Sequence, residues 1–275
     1  MAKDPVHSES FDHATGGRTP RDRSRATLAI GTAGWSVPAT LADRFPGPGS
    51  HLARYARHMN CVEIDTSFHR PHRTSTYQRW AESTPPGFRF SVKFPRTITH
   101  ERRLSGVQEL LDDFLAEVAG LGEKLGVLLL QLPPSLAFDA RACEAFLERL
   151  RARHEGALAC EPRHASWASP AVEKWMSAWR IARVATDPAV IPQGERPGGW
   201  LGSSRKALRY YRWHGSPRTY WSRYDATWLA QRAADIEQRR GDADCWCIFD
   251  NTASGFALVN ALEFRALQTQ APEIA

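Results

Sequence analysis

The sequence predicts an α/β chain that folds as a single TIM (β/α)8 barrel. Three observations predict it. Eight short apolar runs alternate with helical patterns along the chain, the signature of a parallel sheet covered by helices. The 275 residues match the roughly 250 that one such barrel needs. No G-x-G-x-x-G follows the first strand, and no linker or internal repeat divides the chain, so a doubly wound dinucleotide-binding sheet lacks its usual mark.

In chain order, strands are expected over residues 28–31, 61–65, 88–94, 126–131, 157–161, 181–187, 208–214 and 245–251, each a short apolar run. Helices are expected over 51–59, 75–83, 106–121, 141–154, 170–179, 227–239 and 255–267, where apolar residues recur at helical spacing. No helical pattern lies between the sixth and seventh strands. Residues 188–206 hold four glycines and three prolines and read as a long loop in place of the sixth helix. Such loops are often lids or binding loops, so this one is expected beside the pocket. Residues 1–26 are polar and without periodicity; they read as a disordered extension, with the barrel domain over 27–275.

Hydrophobic residues make up 42% and charged residues 24% of the chain, an ordinary globular balance. The 36 basic residues exceed the 30 acidic ones, for a formal charge of +6 and an isoelectric point near 9.3. That surplus suits an anionic substrate or nucleic acid, and equally a plain basic surface. Cys61, Cys143, Cys160, Cys245 and Cys247 form no C-x-x-C pair. Buried reduced thiols in a cytoplasmic protein are expected, not a structural zinc site. No run approaches the ~20 apolar residues that cross a bilayer, and no signal-peptide core is seen.

The strongest chemical signal is an alternation of period two. Every second side chain of a strand faces the same side, and in a barrel one set faces the bore. With Val62 and Ile64 toward the helices, Glu63 and Asp65 face inward. With Phe90, Val92 and Phe94 outward, Arg89, Ser91 and Lys93 face inward. Gln131 ends the fourth strand, Glu161 and Arg163 belong to the fifth, and Tyr210, Arg212 and His214 line the seventh. Asp250 and Asn251 end the eighth. Charge thus recurs where the strands end, the end at which barrel enzymes carry their sites. Counted this way, Glu63, Asp65 and Glu161 meet Arg89, Lys93, Arg163 and Arg212. That slight cationic excess suits a phosphate or similar anion, unless the charges satisfy one another in a closed network.

Ordered motifs along the same strands carry a family resemblance. They are Ile30-Gly-Thr-Ala-Gly-Trp35, Val62-Glu-Ile-Asp-Thr-Ser-Phe68, Ser75-Thr-Tyr-Gln-Arg-Trp80, Phe90-Ser-Val-Lys93, Thr99-His100, Leu125-Gly126, Gln131-Leu-Pro-Pro134, Glu161-Pro-Arg-His-Ala-Ser-Trp167, Arg212-Trp-His-Gly215 and Phe249-Asp-Asn-Thr252. With these the chain resembles the domain of unknown function 72 family (YecE-like) over nearly the whole expected domain. The resemblance implies a TIM barrel and no particular activity, because the family has none assigned. The second-strand motif usually reads Asn-Ser-Thr-Phe-Tyr, where this chain has Asp65-Thr-Ser-Phe-His69, and the family's paired Asn is Asp250-Asn251 here. No family role therefore passes to Asp65, His69 or Asp250.

Glu161-Pro-Arg163-His164 offers a carboxylate, a fixed cation and a titratable imidazole at one strand end, the mixture that general acid–base work needs. Glu161, His214, His164 and Asp65 are the expected catalytic groups. Lys93, Arg163, Arg212, Gln131, Asn251, Trp35, His100 and Trp167 are the expected substrate-binding groups. A divalent metal fits this set if His100, His164, His214 and Glu161 converge. The first functional expectation is an enzyme, phosphodiesterase-like, acting on a phosphate-bearing substrate such as a nucleotide or nucleic-acid end. Glu161 or His214 would move protons, and Lys93, Arg163 and Arg212 would neutralise charge. The alternatives are a carbohydrate-processing hydrolase using Glu63 or Asp65 with Glu161, and a non-catalytic binder of an anion or nucleic acid. Replacing Arg212 by Met is expected to weaken anion binding and to leave the fold intact.

Overall fold

Strands and helices alternate through the computed structural model, which describes residues 26–201, 207–241 and 243–269. The strands are β1 (Leu28–Thr32), β2 (Cys61–Ile64), β3 (Arg89–Lys93), β4 (Leu125–Gln131), β5 (Ala157–Glu161), β6 (Ile181–Arg183), β7 (Ala185–Asp187), β8 (Gly198–Gly199), β9 (Leu208–Trp213) and β10 (Asp244–Phe249). The helices are α1 (His51–Tyr55), α2 (Thr74–Glu82), α3 (Gln108–Val118), α4 (Ala140–Arg151), α5 (Pro170–Ala178), α6 (Ala226–Arg240) and α7 (Phe256–Thr269). Side-chain caps start several of them: Asp139, Ser169 and Asp225 accept from the backbone N–H groups of Ala142, Val172 and Trp228, satisfying donors that a helix start leaves open. Apart from Ala26, the expected extension over 1–26 lies outside the described residues. No described helix is long and apolar enough to cross a membrane.

Pairing among the described strands is parallel except between β6 and β8, and it forms two sheets, β1-β10-β9-β7 and β2-β3-β4-β5-β6-β8. The expected parallel α/β class is present, but the ladders do not run as one closed ring. Two seams separate them. At the first, one bridge joins Ala33 to Glu63, and Gly34 N–H donates to the Glu63 carbonyl at 2.8 Å. Glycine at 31 permits this approach, since a Cβ there would stand 2.2 Å from the Cys61 carbonyl oxygen. At the second, the strand expected over 181–187 changes partners midway: β6 pairs with β5, and β7 pairs with β9 from Ala185 and Tyr211 onward.

The reason is the chain that follows. Gly198 and Gly199 run antiparallel along the free edge of β6, the edge that would otherwise meet the start of β9. Gly199 lies at φ +68, and a Cβ there would stand 2.4 Å from the Ile181 carbonyl oxygen. The described part of the long loop contains no helix, as expected. It descends the helix side of β7 and β9 until Trp200 N–H reaches the Ile181 carbonyl at 2.8 Å. On the way, Glu195, Arg196 and Pro197 line a cavity of about 360 Å³ with Tyr211, Trp213 and Trp228. Residues 202–206 lie outside the described residues.

Side chains sort by parity along the strands. Val62, Ile64, Phe90, Val92, Phe94 and Leu128 belong to the large core shared with the helices. Cys61, Val127, Ala159, Ala182, Tyr210 and Trp246, of opposite parity, form a second apolar cluster drawn from both sheets. Burying one large apolar side chain stabilises by roughly 1.5–3 kcal/mol, so each set holds its strands in register. Further along β2, β3, β4, β5, β9 and β10, the positions of this second parity turn polar at Glu63, Lys93, Gln131, Glu161, Arg212 and Asp250.

Candidate active site

Arg212 on β9 is 1% exposed and meets three carboxylates. Its Nη2 donates to Glu63 Oε1 at 2.7 Å and its Nε to Glu63 Oε2 at 3.0 Å. Its Nη1 donates to Glu161 Oε2 at 2.6 Å, and Nη2 also reaches Asp250 Oδ2 at 3.0 Å. The other Glu161 oxygen is held by Arg163, 2.8 Å from Nε and 2.6 Å from Nη2. The Tyr210 hydroxyl lies 2.9 Å from Glu63 Oε2 and 2.8 Å from Ser91 Oγ. Glu63 and Glu161 are fully buried, and buried charges persist only when paired in this way.

His214 follows β9 and is also buried. Its Nδ1 lies 2.9 Å from Asp250 Oδ2. Its Nε2 stands 3.6 Å from Glu161 Oε1, beyond hydrogen-bond reach, and has no hydrogen-bond partner among the described residues. The Tyr220 ring covers the imidazole edge-on, with centroids 5.6 Å apart. Tyr220 itself is 37% exposed and sits at φ +69, a left-handed backbone that costs a non-glycine residue about 1–3 kcal/mol. Nearby, Lys93 Nζ donates to Asp65 Oδ1 at 2.8 Å and lies 4.1 Å from the Phe68 ring centroid.

Burial and charge set these groups apart. Burial pushes the Glu161 carboxyl up, but Arg212, Arg163 and His214 together hold it well below the usual carboxylate range. Asp250 is lowered for the same reason, by Arg212 and His214 acting against burial. Glu63 goes the other way: burial outweighs Arg212, and repulsion from Asp250 and Asp65 adds to it. Burial alone would lower the His214 imidazole. The Glu161 charge and the Asp250 hydrogen bond outweigh that, and its pKa is raised.

Of the residues singled out in the sequence, Glu161, Arg163, Arg212 and His214 come together, with Glu63 and Asp250 between them. Gln131 is paired in register with Glu161. Asn251 is fully buried and donates through Nδ2 to the Ser222 carbonyl and Asn260 Oδ1, while its own Oδ1 is unpartnered among the described residues. His100 bonds Thr99 Oγ1 at 2.8 Å and packs on Phe68. Its pKa is lowered by burial and by Lys93, Arg163 and Arg96. Trp35 and Asp65 line a cavity of about 550 Å³ beside the cluster. His164 and Trp167 have local partners. His164 Nδ1 accepts from Ser166 N–H and caps the short turn Ala165–Trp167. Trp167 is buried, with its indole N–H on the Leu136 carbonyl.

The expected cationic excess is not found. Arg89 donates to the Pro86 and Phe88 carbonyls at the start of its strand, and Asp250 joins the cluster. Four carboxylates (Glu63, Asp65, Glu161, Asp250) then meet three cations (Lys93, Arg163, Arg212). Nor do the histidines converge: among the described residues no group of three or more His, Cys, Asp or Glu is arranged to hold a metal ion. Two participants lie outside the expected catalytic and binding groups, Asp250 as the partner of His214 and Tyr220 as its cover. Asp250 had a signal, since it shares the parity of Trp246 and Ile248. Tyr220 had none beyond its place in an aromatic and arginine-rich loop.

Fold and site together define a class: parallel α/β proteins with a buried ion cluster at the C-terminal ends of the strands. The chain belongs to the DUF72 family, whose model, described as a protein of unknown function, matches residues 29–274. It is 36% identical over 106 residues to the UPF0759 protein YecE of Escherichia coli (strain K12), and the match spans 38% of this chain and only 38% of that protein's length. It is 26% identical to the UPF0759 protein YunF of Bacillus subtilis (strain 168), covering 87% of this chain and 94% of that one. The crystal structure of a DUF72 family protein from Enterococcus faecalis V583 matches with a TM-score of 0.71 at 21% identity, over 90% of this chain and 97% of that one. One from Thermotoga maritima MSB8 matches with a TM-score of 0.68 at 22% identity, over 89% and 100%. Both likenesses bear on the fold.

Proposed function

We propose that the two sheets act as one TIM-type barrel whose C-terminal mouth is the active site of an acid–base enzyme for a small anionic, phosphate-bearing substrate. The barrel reading is supported by the bridge between Ala33 and Glu63, by the partner change at Val184, and by the apolar cluster drawn from both sheets. One observation carries the chemistry: His214 is oriented by Asp250 through Nδ1 while Nε2 has no hydrogen-bond partner among the described residues. An oriented imidazole whose second nitrogen lies 3.6 Å from Glu161 and accepts or gives no hydrogen bond among the described residues can move a proton once a substrate group displaces the Tyr220 cover.

Lys93 and Arg163 serve as the anion anchors, because both keep donors beyond those given to Asp65 and Glu161. Arg212 gives its donors to three carboxylates and acts as a positioning residue, as does Glu161. With His214 protonated the cluster is neutral, so an anion enters at its rim, against Lys93 and Arg163. The paired-carboxylate alternative lacks support, since Arg212 engages both Glu63 and Glu161. Five buried free thiols suit a reducing cytoplasm.

The test is calorimetric titration with inorganic phosphate and sulfate. Wild type should bind both, and Lys93→Met should weaken binding about tenfold or more, the usual worth of a charged hydrogen bond. Absence of binding to wild type sinks the anion reading and leaves a self-satisfied network as the better account.

A further inference from the structure

The 550 Å³ cavity beside the ion cluster opens where the ends of β1 and β2 meet the turn before α7. Its walls include Trp35, Ser36, Pro38, Asp65, Thr66 and Thr252, and its chemistry differs from that of the charged bore. Trp35 supplies an aromatic wall, held edge-to-face against Trp80 with centroids 5.1 Å apart. Asp65 supplies an acceptor. Its Oδ1 is taken by Lys93 at 2.8 Å, yet the side chain stays 34% exposed, which leaves Oδ2 for a hydroxyl donor. Ser36 and Thr252 are exposed hydroxyls, and each can donate and accept.

A phosphate is a poor occupant of this cavity, because its lining holds the Asp65 carboxylate and no Lys or Arg. A purely apolar group is poor too, because it strands the carboxylate and the hydroxyls without partners. A hydroxylated ring meets both demands, with its C–H face on Trp35 and its hydroxyls on Asp65. The Lys93–Asp65 pair spans the border, so a ring bonded to Asp65 lies one side chain away from the anion anchor. We propose that this cavity is a sugar subsite, and that the substrate is a phosphorylated sugar, free or within a nucleotide. The sugar subsite stands on the cavity, while its phosphate half rests on the anion reading above.

Calorimetry on the full chain with inorganic phosphate, ribose 5-phosphate and adenosine 5′-monophosphate tests it. Ribose 5-phosphate should bind at least about tenfold tighter than phosphate, or roughly 1.4 kcal/mol, and Trp35→Ala should erase that gain while phosphate binding persists. Should Trp35→Ala fail to fold, the exposed pair Ser36→Ala with Thr252→Val takes its place. Tighter binding of the nucleotide than of ribose 5-phosphate assigns the sugar to a nucleotide, and equal or weaker binding assigns it to a free sugar phosphate. Equal affinity for phosphate and ribose 5-phosphate overturns the subsite and spares the anion reading. If phosphate does not bind, saturation-transfer NMR with ribose alone decides. A signal lost in Trp35→Ala upholds the subsite without the anion, and no signal overturns it.

Discussion

Arg212 and Glu63 form a two-pronged ion pair, Nη2 to Oε1 at 2.7 Å and Nε to Oε2 at 3.0 Å, between strands of different sheets. Neither side chain is more than 1% exposed, so neither charge has water to fall back on. The same guanidinium holds Glu161 and Asp250. It is the shared counter-ion of three carboxylates.

Arg212→Met therefore should not leave the fold intact, contrary to the expectation from sequence. Uncompensated buried carboxylates cost roughly 3–5 kcal/mol or more. The urea midpoint should fall accordingly, and adding Glu63→Gln should recover part of the loss. An unfolding free energy for Arg212→Met within about 1 kcal/mol of wild type, well below that cost, would show that the carboxylates do not depend on this cation.

Stability should depend on pH through His214. Its folded pKa is raised above the ordinary 6.5, so the folded state holds the proton more tightly. Its contribution is complete below about pH 6.5 and is lost as pH rises through the folded value. Glu161 and Asp250 are depressed and act in the opposite sense. Their contribution is present above about pH 4 and is lost as pH falls through their folded values. Melting temperature against pH should decline on the alkaline side, and less so in Asp250→Asn. An NMR titration placing His214 below 6.5 contradicts this.

Tyr220 at φ +69 holds its ring over His214 at a backbone cost. Tyr220→Gly should relieve that strain, worth about 1 kcal/mol, and uncover the imidazole. Diethyl pyrocarbonate should then modify His214 faster, with little loss of melting temperature. An unchanged modification rate would mean that another group shields the ring.

Gly199→Ala should push β8 off β6. The added methyl would meet the Ile181 carbonyl oxygen at 2.4 Å, and crowding of this kind costs about 1–3 kcal/mol. Hydrogen exchange at the Trp200 amide, which bonds that carbonyl, should quicken. An exchange rate equal to wild type would count against the tight packing of this edge.

Much of this architecture is legible in the sequence because strands write their two faces in alternation. Val62 and Ile64 against Glu63, and Phe90 and Val92 against Ser91 and Lys93, sort in the structure as their parity predicts. Parity says which side a residue faces, not where along the strand its neighbours end. Arg89 shares the parity of Lys93 but lies at the opposite end, bonded to local carbonyls. His164, expected as an acid–base group, caps a turn through Nδ1, because its partner Ser166 lies two residues away, a local geometry that composition does not record. The split at Val184 was hidden for a similar reason. It arises from Gly198 and Gly199, which return to β6 from outside the strand pattern.

Arg212 and Asp250 extend from the first sheet, with His214 just beyond its β9, whereas Glu63 and Glu161 stand on the second. The ion cluster is therefore a clasp between two sheets as well as a pocket. Its protonation state sets how firmly they are joined. A proton taken up by Glu63 slackens the clasp across the seam, and a proton held by His214 tightens it. The charge of the pocket and the hold across the seam then change together.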